Sequence, residues 1–177
     1  MLYTGKGDSG TTKLFGCDQQ KISKSSEIPE ALGALDELNA FLGYVKVRAA
    51  GESRIKEALH NVQEKLFVIQ AEMAGADKHF AASDIEAVEK IVNEIEKEIP
   101  PITSFSISGG TELSALLDVA RTLARRAERR VIAVGETNLC IIPDTTRSYL
   151  NRLSSLLFAL ARLANYLAGV AEENPKY

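Results

Sequence analysis

A chain of 177 residues, 45% apolar and 25% charged, has the length of one domain and the composition of a globular protein, which excludes wholesale disorder. Its net charge of −3 and pI near 5.5 argue against a protein that coats nucleic acid and leave only a local basic stripe to look for. No segment approaches the roughly 20 apolar residues of a membrane span, and the first residues lack the charged-then-apolar pattern of a leader, so a cytoplasmic protein is expected.

The opening, to about residue 27, is rich in Gly, Ser and Thr; helical periodicity then holds to the C-terminus. Pro29 and Glu30 open the first predicted helix, with Leu32, Leu35, Leu38, Leu42 and Val45 on its buried face and Gly51 at its end. A second is predicted over 53–74 from Ile55, Leu59, Val62, Leu66 and Ile69, closed by Gly75. Ser83, with Glu86 three residues on, predicts the cap of a third, carried by Ile85, Val88, Ile91, Val92 and Ile95 and stopped by Pro100 and Pro101. After the loop "PPITSFSISGG", Thr111 is expected to cap a fourth helix over 111–134. Asp144 or Thr145 starts a fifth, "TTRSYLNRLSSLLFALARLANYLAGVAEE", with Asn174 and Pro175 beyond it. Short connections between five helices predict one all-α domain over 1–177, a mostly antiparallel bundle with no internal repeat. Cys17 and Cys140 form no Cys-x-x-Cys and no cluster with His60 or His79, so neither a disulfide framework nor a zinc site is indicated and a reducing compartment is the natural setting.

The fourth helix concentrates the positive charge. In "DVARTLARRAERRVIAV", Leu116, Ala120, Leu123, Ala124, Ala127, Val131 and Val134 share one face, and Arg121, Arg125 and Arg129 recur at i, i+4 and i+8 roughly opposite, with Glu128 beside them and Arg126 and Arg130 further round. Like charges stacked this way repel by about 0.2–0.5 kcal/mol per neighbouring pair. Two readings follow: a solvated face paired with acidic residues of neighbouring helices, or an oxyanion clamp, since guanidinium forks match phosphate oxygens. Nucleic acid ranks low as the anion, because no aromatics interleave the arginines.

The opening "YTGKGDSGTTKLFG" is not a Walker A loop, since no glycine stands at the interval before Gly-Lys-Ser/Thr that such a loop requires. It does offer Gly5, Gly7 and Gly10 for close backbone approach, Thr4, Thr11 and Thr12 as hydroxyl donors, Lys6 and Lys13 for charge, and Asp8 for a metal or a donor. Composition alone leaves open a flexible terminus or a ligand loop.

The series "YTGKGDSGTT", "EALGALDELNAFLG", "SGGTELSALLDVARTLARRAERRV" and "YLNRLSSLLFALAR", in this order, resembles the PduO-type ATP:cobalamin adenosyltransferases over nearly the whole chain. The resemblance implies a homotrimer of helical bundles with ATP between two subunits. It puts Thr4, Gly5, Lys6, Gly7, Asp8, Gly10, Thr11 and Thr12 of segment 1–27 around the nucleotide, and Lys24, rather than Lys21, as the lysine that follows, standing six residues before Glu30. The helical part, 28–177, would complete the pocket across the interface with Arg125, Arg126, Glu128, Arg129 and Asn151. Asp36 and Arg121 would form an ion pair joining subunits.

The implied reaction transfers the 5′-deoxyadenosyl group of ATP to cob(I)alamin and expels triphosphate, with Mg²⁺ carried mainly by the phosphates. That chemistry needs no protein nucleophile and fits a chain without a Ser/His/Asp or Cys/His constellation. Arg125, Arg129, Lys6 and Lys24 would stabilise the departing polyphosphate. Phe105 in "SFSISGG" matches the family aromatic of the wall that excludes the lower axial ligand; by composition alone it reads as core packing. A reductase for cob(II)alamin is the implied partner. Two departures stand out: Ser155 where relatives often carry Asp after N-R-L-S, and Ser108 where they frequently carry Pro. The first keeps open a second reading, an ATP-binding helical regulator without corrinoid chemistry; a third is a bundle whose arginines serve subunit packing.

Overall fold

A computed structural model of the chain describes residues 2–14, 21–137 and 140–177. Five helices make up most of it: α1 (Glu27–Arg48), α2 (Ser53–Met73), α3 (Ala82–Glu98), α4 (Glu112–Glu136) and α5 (Asp144–Leu167). The expectation of an all-α chain needs one correction, since two short strands, β1 (Thr11–Lys13) and β2 (Lys21–Ser23), pair antiparallel ahead of α1 with Thr11 opposite Ser23 and Lys13 opposite Lys21. Three residues per strand give almost no alternation to read, so this hairpin left no period in the sequence. Cys17 lies outside the described residues, and Cys140 is partly buried.

Side-chain pairs crossing between helices give their directions. Arg48 meets Glu112 and Arg130 meets Glu30, so α1 and α4 run antiparallel. Lys65 meets Asp84 while Arg54 meets Glu98, which sets α2 against α3. Asn151 bonds Glu128 and Asn165 bonds Thr111, reversing α5 on α4. α3 and α5 are the exception: Arg152 bonds Glu89 and Arg162 bonds the Pro100 carbonyl, so both ascend together. The helices thus close a ring in the order α1, α2, α3, α5, α4. Five helices that alternate up and down cannot all have antiparallel neighbours in a ring, and parity leaves one parallel pair.

The inner faces supply the core, with Leu35, Leu38, Leu42, Ile55, Leu59, Leu66, Ile69, Leu117, Leu150 and Leu153 among its fully buried side chains. Phe80 packs against Tyr149 as a tilted pair 4.5 Å apart between centroids, and burial raises the Tyr149 phenol above its ordinary range, the Asp84 carboxylate adding to the effect. On α3 only Val88 and Ile95 are buried; Ile85, Ile91 and Val92 are partly covered.

The helix ends follow from backbone chemistry and differ in places from the periodicity. α1 begins at Glu27, and Pro29 sits at its third position, where the early N–H groups have no intrahelical partner in any case. It ends at Arg48, ahead of Gly51. α2 closes as expected: Gly75, at φ +88°, donates its N–H to the Glu72 carbonyl, and the Ala76 N–H reaches Ala71 at 2.9 Å, a Schellman end. Ser83 does not cap α3. The helix starts at Ala82, and the Asp84 carboxylate accepts the Ala81 N–H at 3.2 Å, a neighbour two residues before Glu86 taking the role assigned to it. Thr111 caps α4, its hydroxyl accepting the Ser114 N–H at 3.1 Å. α5 stops at Leu167, short of Glu173, because Gly169 at φ +67° makes a second Schellman end: its N–H reaches Tyr166, and that of Val170 reaches Asn165 at 2.9 Å.

Candidate functional site

The N-terminal segment is folded by glycine. Gly5 and Gly10 take left-handed φ values of +66° and +76°, and two successive turns form as the Asp8 N–H bonds Gly5 at 3.2 Å and the Gly10 N–H bonds Gly7 at 3.1 Å. The Lys24 N–H then reaches the Gly10 carbonyl at 3.0 Å and ties the loop to the end of β2. Gly7 leaves room for another feature: a Cβ there would stand 2.8 Å from the Lys24 ammonium, which lies across it. Small-ligand clefts run about 300–1,000 Å³, and the one here, about 510 Å³, is lined by Thr4, Lys6, Gly7, Thr11, Thr12, Lys13 and Lys21. Lys21 therefore faces the cleft while Lys24 backs the loop. Lys13 and Lys21 are opposed in register, and like charges directly across a ladder destabilise it.

The α4 arginines divide into two sets. Arg126 pairs with Glu37 and Arg130 reaches Glu30 at 3.9 Å, both across to α1 and both exposed; the solvated-face reading holds for these. Arg121 donates to Asp118 at 3.1 Å, one turn back on α4, and lies 5.9 Å from the Phe158 ring centroid. Arg125 and Arg129 are exposed and have no ion-pair or hydrogen-bond partner among the described residues. Asn151 donates to Glu128 at 3.2 Å and accepts from Arg152 at 2.9 Å, so these two expected site residues meet where α4 and α5 cross. Asp36 is exposed on α1; within one chain Arg121 is bonded to Asp118 instead.

A second cleft, about 420 Å³, lies beside the arginine row and is lined by Ile102, Ser104, Phe105, Ser106, Arg121, Arg125, Ser154, Ser155 and Phe158. Phe105 is 79% exposed, so the core-packing reading of that residue does not hold. Ser155 faces this cleft, whereas Ser108 lines a smaller hollow against the C-terminal tail. Phe158, Asp118 and Ser154 escaped the motif reading. Stepping from Asn151 by three, four and seven residues along α5 reaches Ser154, Ser155 and Phe158 on one face, a periodicity that was available. Asp118 stands three residues before Arg121 but carried no signal apart from its partner.

No group of three or more His, Cys, Asp or Glu side chains suited to a metal occurs among the described residues. Asp8 is the loop's carboxylate, which fits Mg²⁺ carried on phosphate oxygens with at most one protein ligand. Among the described residues no helix is long and apolar enough to cross a membrane.

Fold and site together define a helical bundle with a glycine-turned, lysine-lined loop, two arginines on α4 without a partner among the described residues, and a cleft beside them that holds Phe105 and Phe158. The sequence profile described as cobalamin adenosyltransferase matches residues 2–164. A corrinoid adenosyltransferase of Citrobacter freundii is 39% identical over 169 residues, covering 92% of this chain and 93% of its own. One from Bacillus subtilis (strain 168) is 33% identical over 178 residues, covering 97% and 90%. The PduO protein of Salmonella typhimurium is 38% identical over 169 residues; the match covers 91% of this chain but 48% of that one, so the chain spans about half its length. Among solved structures, a variant PduO-type ATP:corrinoid adenosyltransferase from Lactobacillus reuteri, complexed with cobalamin and ATP, superposes with a TM-score of 0.91 at 28% identity, covering 99% of this chain and 97% of that one. This chain belongs to the cobalamin adenosyltransferase family.

Proposed function

We propose that the protein is a corrinoid adenosyltransferase that works as a homotrimer, each active site joining the N-terminal loop of one subunit to the α4 arginines of the next. Within one chain the loop and the arginine row line separate clefts, and an ATP triphosphate needs both. The observation that carries the reading is that, among the described residues, Arg125 and Arg129 have no partner while Arg121, Arg126 and Arg130 do. Guanidinium groups left free beside paired neighbours are available to a ligand's oxyanions.

In the reaction, the reduced cobalt of cob(I)alamin attacks C5′ of ATP, a cobalt–carbon bond forms, and the C5′–O5′ bond breaks to release triphosphate. The chain's tasks are alignment and charge stabilisation. Thr4, Gly5, Lys6, Gly7, Asp8, Gly10, Thr11 and Thr12, with Lys21 and Lys24, hold the nucleotide; Arg125 and Arg129 stabilise negative charge on the leaving polyphosphate; Glu128 and Asn151 brace that wall. Asp36 takes the Arg121 of the neighbouring subunit. Phe105 and Phe158 form an apolar corrinoid wall. The protein acts in the cytoplasm, supplied by a cob(II)alamin reductase.

Incubation with ATP, Mg²⁺ and chemically reduced cob(I)alamin tests this directly. The spectrum of an alkylated cobalt should develop in step with triphosphate release. Retained ATP binding without that spectrum would favour the regulator reading, for which Ser155 in the cleft is the specific observation.

A further inference from the structure

Arg162 and Asn165 stand one turn apart at the end of α5, 8% and 7% exposed, a buried arginine and a buried amide outside the ATP and corrinoid sets. Their bonds all go to two segments that lack regular structure. The Arg162 Nη2 donates to the Pro100 carbonyl at 2.8 Å, where the loop before α4 begins. Its Nε donates to Glu172 in the C-terminal tail at 2.5 Å. Asn165 holds the loop's other end: its Oδ1 accepts the Thr111 N–H at 2.9 Å, and its Nδ2 donates to the Gly109 carbonyl at 2.9 Å. A Cβ on Gly110 would come within 2.5 Å of that amide, so the loop passes directly over it. Between these anchors, the Ile107 N–H donates to the Glu173 carbonyl at 2.7 Å, and Phe105 stands two residues before Ile107.

We infer that Arg162, acting through Glu172, is a positioning residue for the corrinoid side of the site, a reading that rests on the proposed function. The Arg162–Glu172 bond fixes the tail; the next tail residue supplies the carbonyl that holds Ile107; Ile107 sets where Phe105 meets the cleft. A buried arginine with a carboxylate partner is held strongly, because removing the partner strands the charge, and its second bond at Pro100 keeps the guanidinium in register. Among the described residues loop 101–106 has no equivalent anchor of its own, only the local Ser104–Phe105 bond, so its placement depends on the tail.

Glu172→Ala tests the chain of contacts at a partly exposed residue outside the helical core. Hydrogen exchange of segment 101–110 in the ligand-free protein should speed up roughly tenfold, with helical segments and Tm little changed. With prereduced cob(I)alamin the variant should show a KM for the corrinoid about tenfold higher and an unchanged KM for ATP. Glu172→Gln, which keeps an acceptor for Arg162, should fall between wild type and Glu172→Ala in both readouts. Unchanged exchange in 101–110 would overturn the inference, as would equal rises in both KM values, the sign of a general structural role. If wild type itself transfers no adenosyl group, the proposed function fails and this role in the reaction with it; wild-type turnover with the Glu172→Ala pattern absent defeats the positioning role alone.

Discussion

At the scale of single residues, partnering separates arginines that the sequence presents as equivalents. Five arginines crowd α4, and spacing alone could not say which serve the fold, because the acids that answer Arg126 and Arg130, Glu37 and Glu30, sit far back in the chain on α1. Arg126→Ala should therefore cost under about 1 kcal/mol in thermal or denaturant unfolding, as exposed pairs do. Arg125→Ala should abolish turnover and leave Tm unchanged; a large loss of Tm with normal turnover would place Arg125 in the fold instead. Phe105→Ala should impair reaction from cob(II)alamin far more than from prereduced cob(I)alamin, and equal losses would remove its role in excluding the lower ligand. Phe105 was identified only through resemblance: composition assigned it to the core, and its exposure could not be read from a loop without period.

At the scale of elements, apolar spacing located all five helices, since burial of one face is the same physics that orders the core. The faces of α2 and α4 hold nearly residue for residue, with Leu116 and Leu123 half-buried and Leu117 taking the deeper place. The ends were less legible, because each is decided by one or two hydrogen bonds with no period behind them. Asp84 displaced Ser83 as the determinant of the α3 start, and Gly169 cut α5 short where Leu and Ala composition still favoured helix. Thr111 is a cap that both readings share, and it also donates its hydroxyl to Asn165 at 3.2 Å. Thr111→Ala should lower stability by about 1–2 kcal/mol, which equilibrium urea unfolding would register. Leu153→Ala, within the fully buried face of α5, should cost about 2–5 kcal/mol by the same measurement.

At the scale of the whole molecule, the loop and the Arg121–Arg125 segment line different clefts of one chain, and the proposed site joins them only across subunits. Ring parity fixes the bundle's directions, but nothing in one sequence orders one copy against another; Asp36, Arg125 and Arg129, exposed and without a partner among the described residues, are the charges that the proposed assembly would answer. The most direct test is subunit complementation. Lys6→Ala, which damages the loop, and Arg125→Ala, which damages the arginine row, should each be inactive alone. Unfolded together in equal amounts and refolded as mixed trimers, they should regain activity at about a quarter of the wild-type level, because one interface in four then joins an intact loop to an intact arginine. No recovery from mixed trimers, or a strictly monomeric wild-type protein that is fully active, would contradict the composite site.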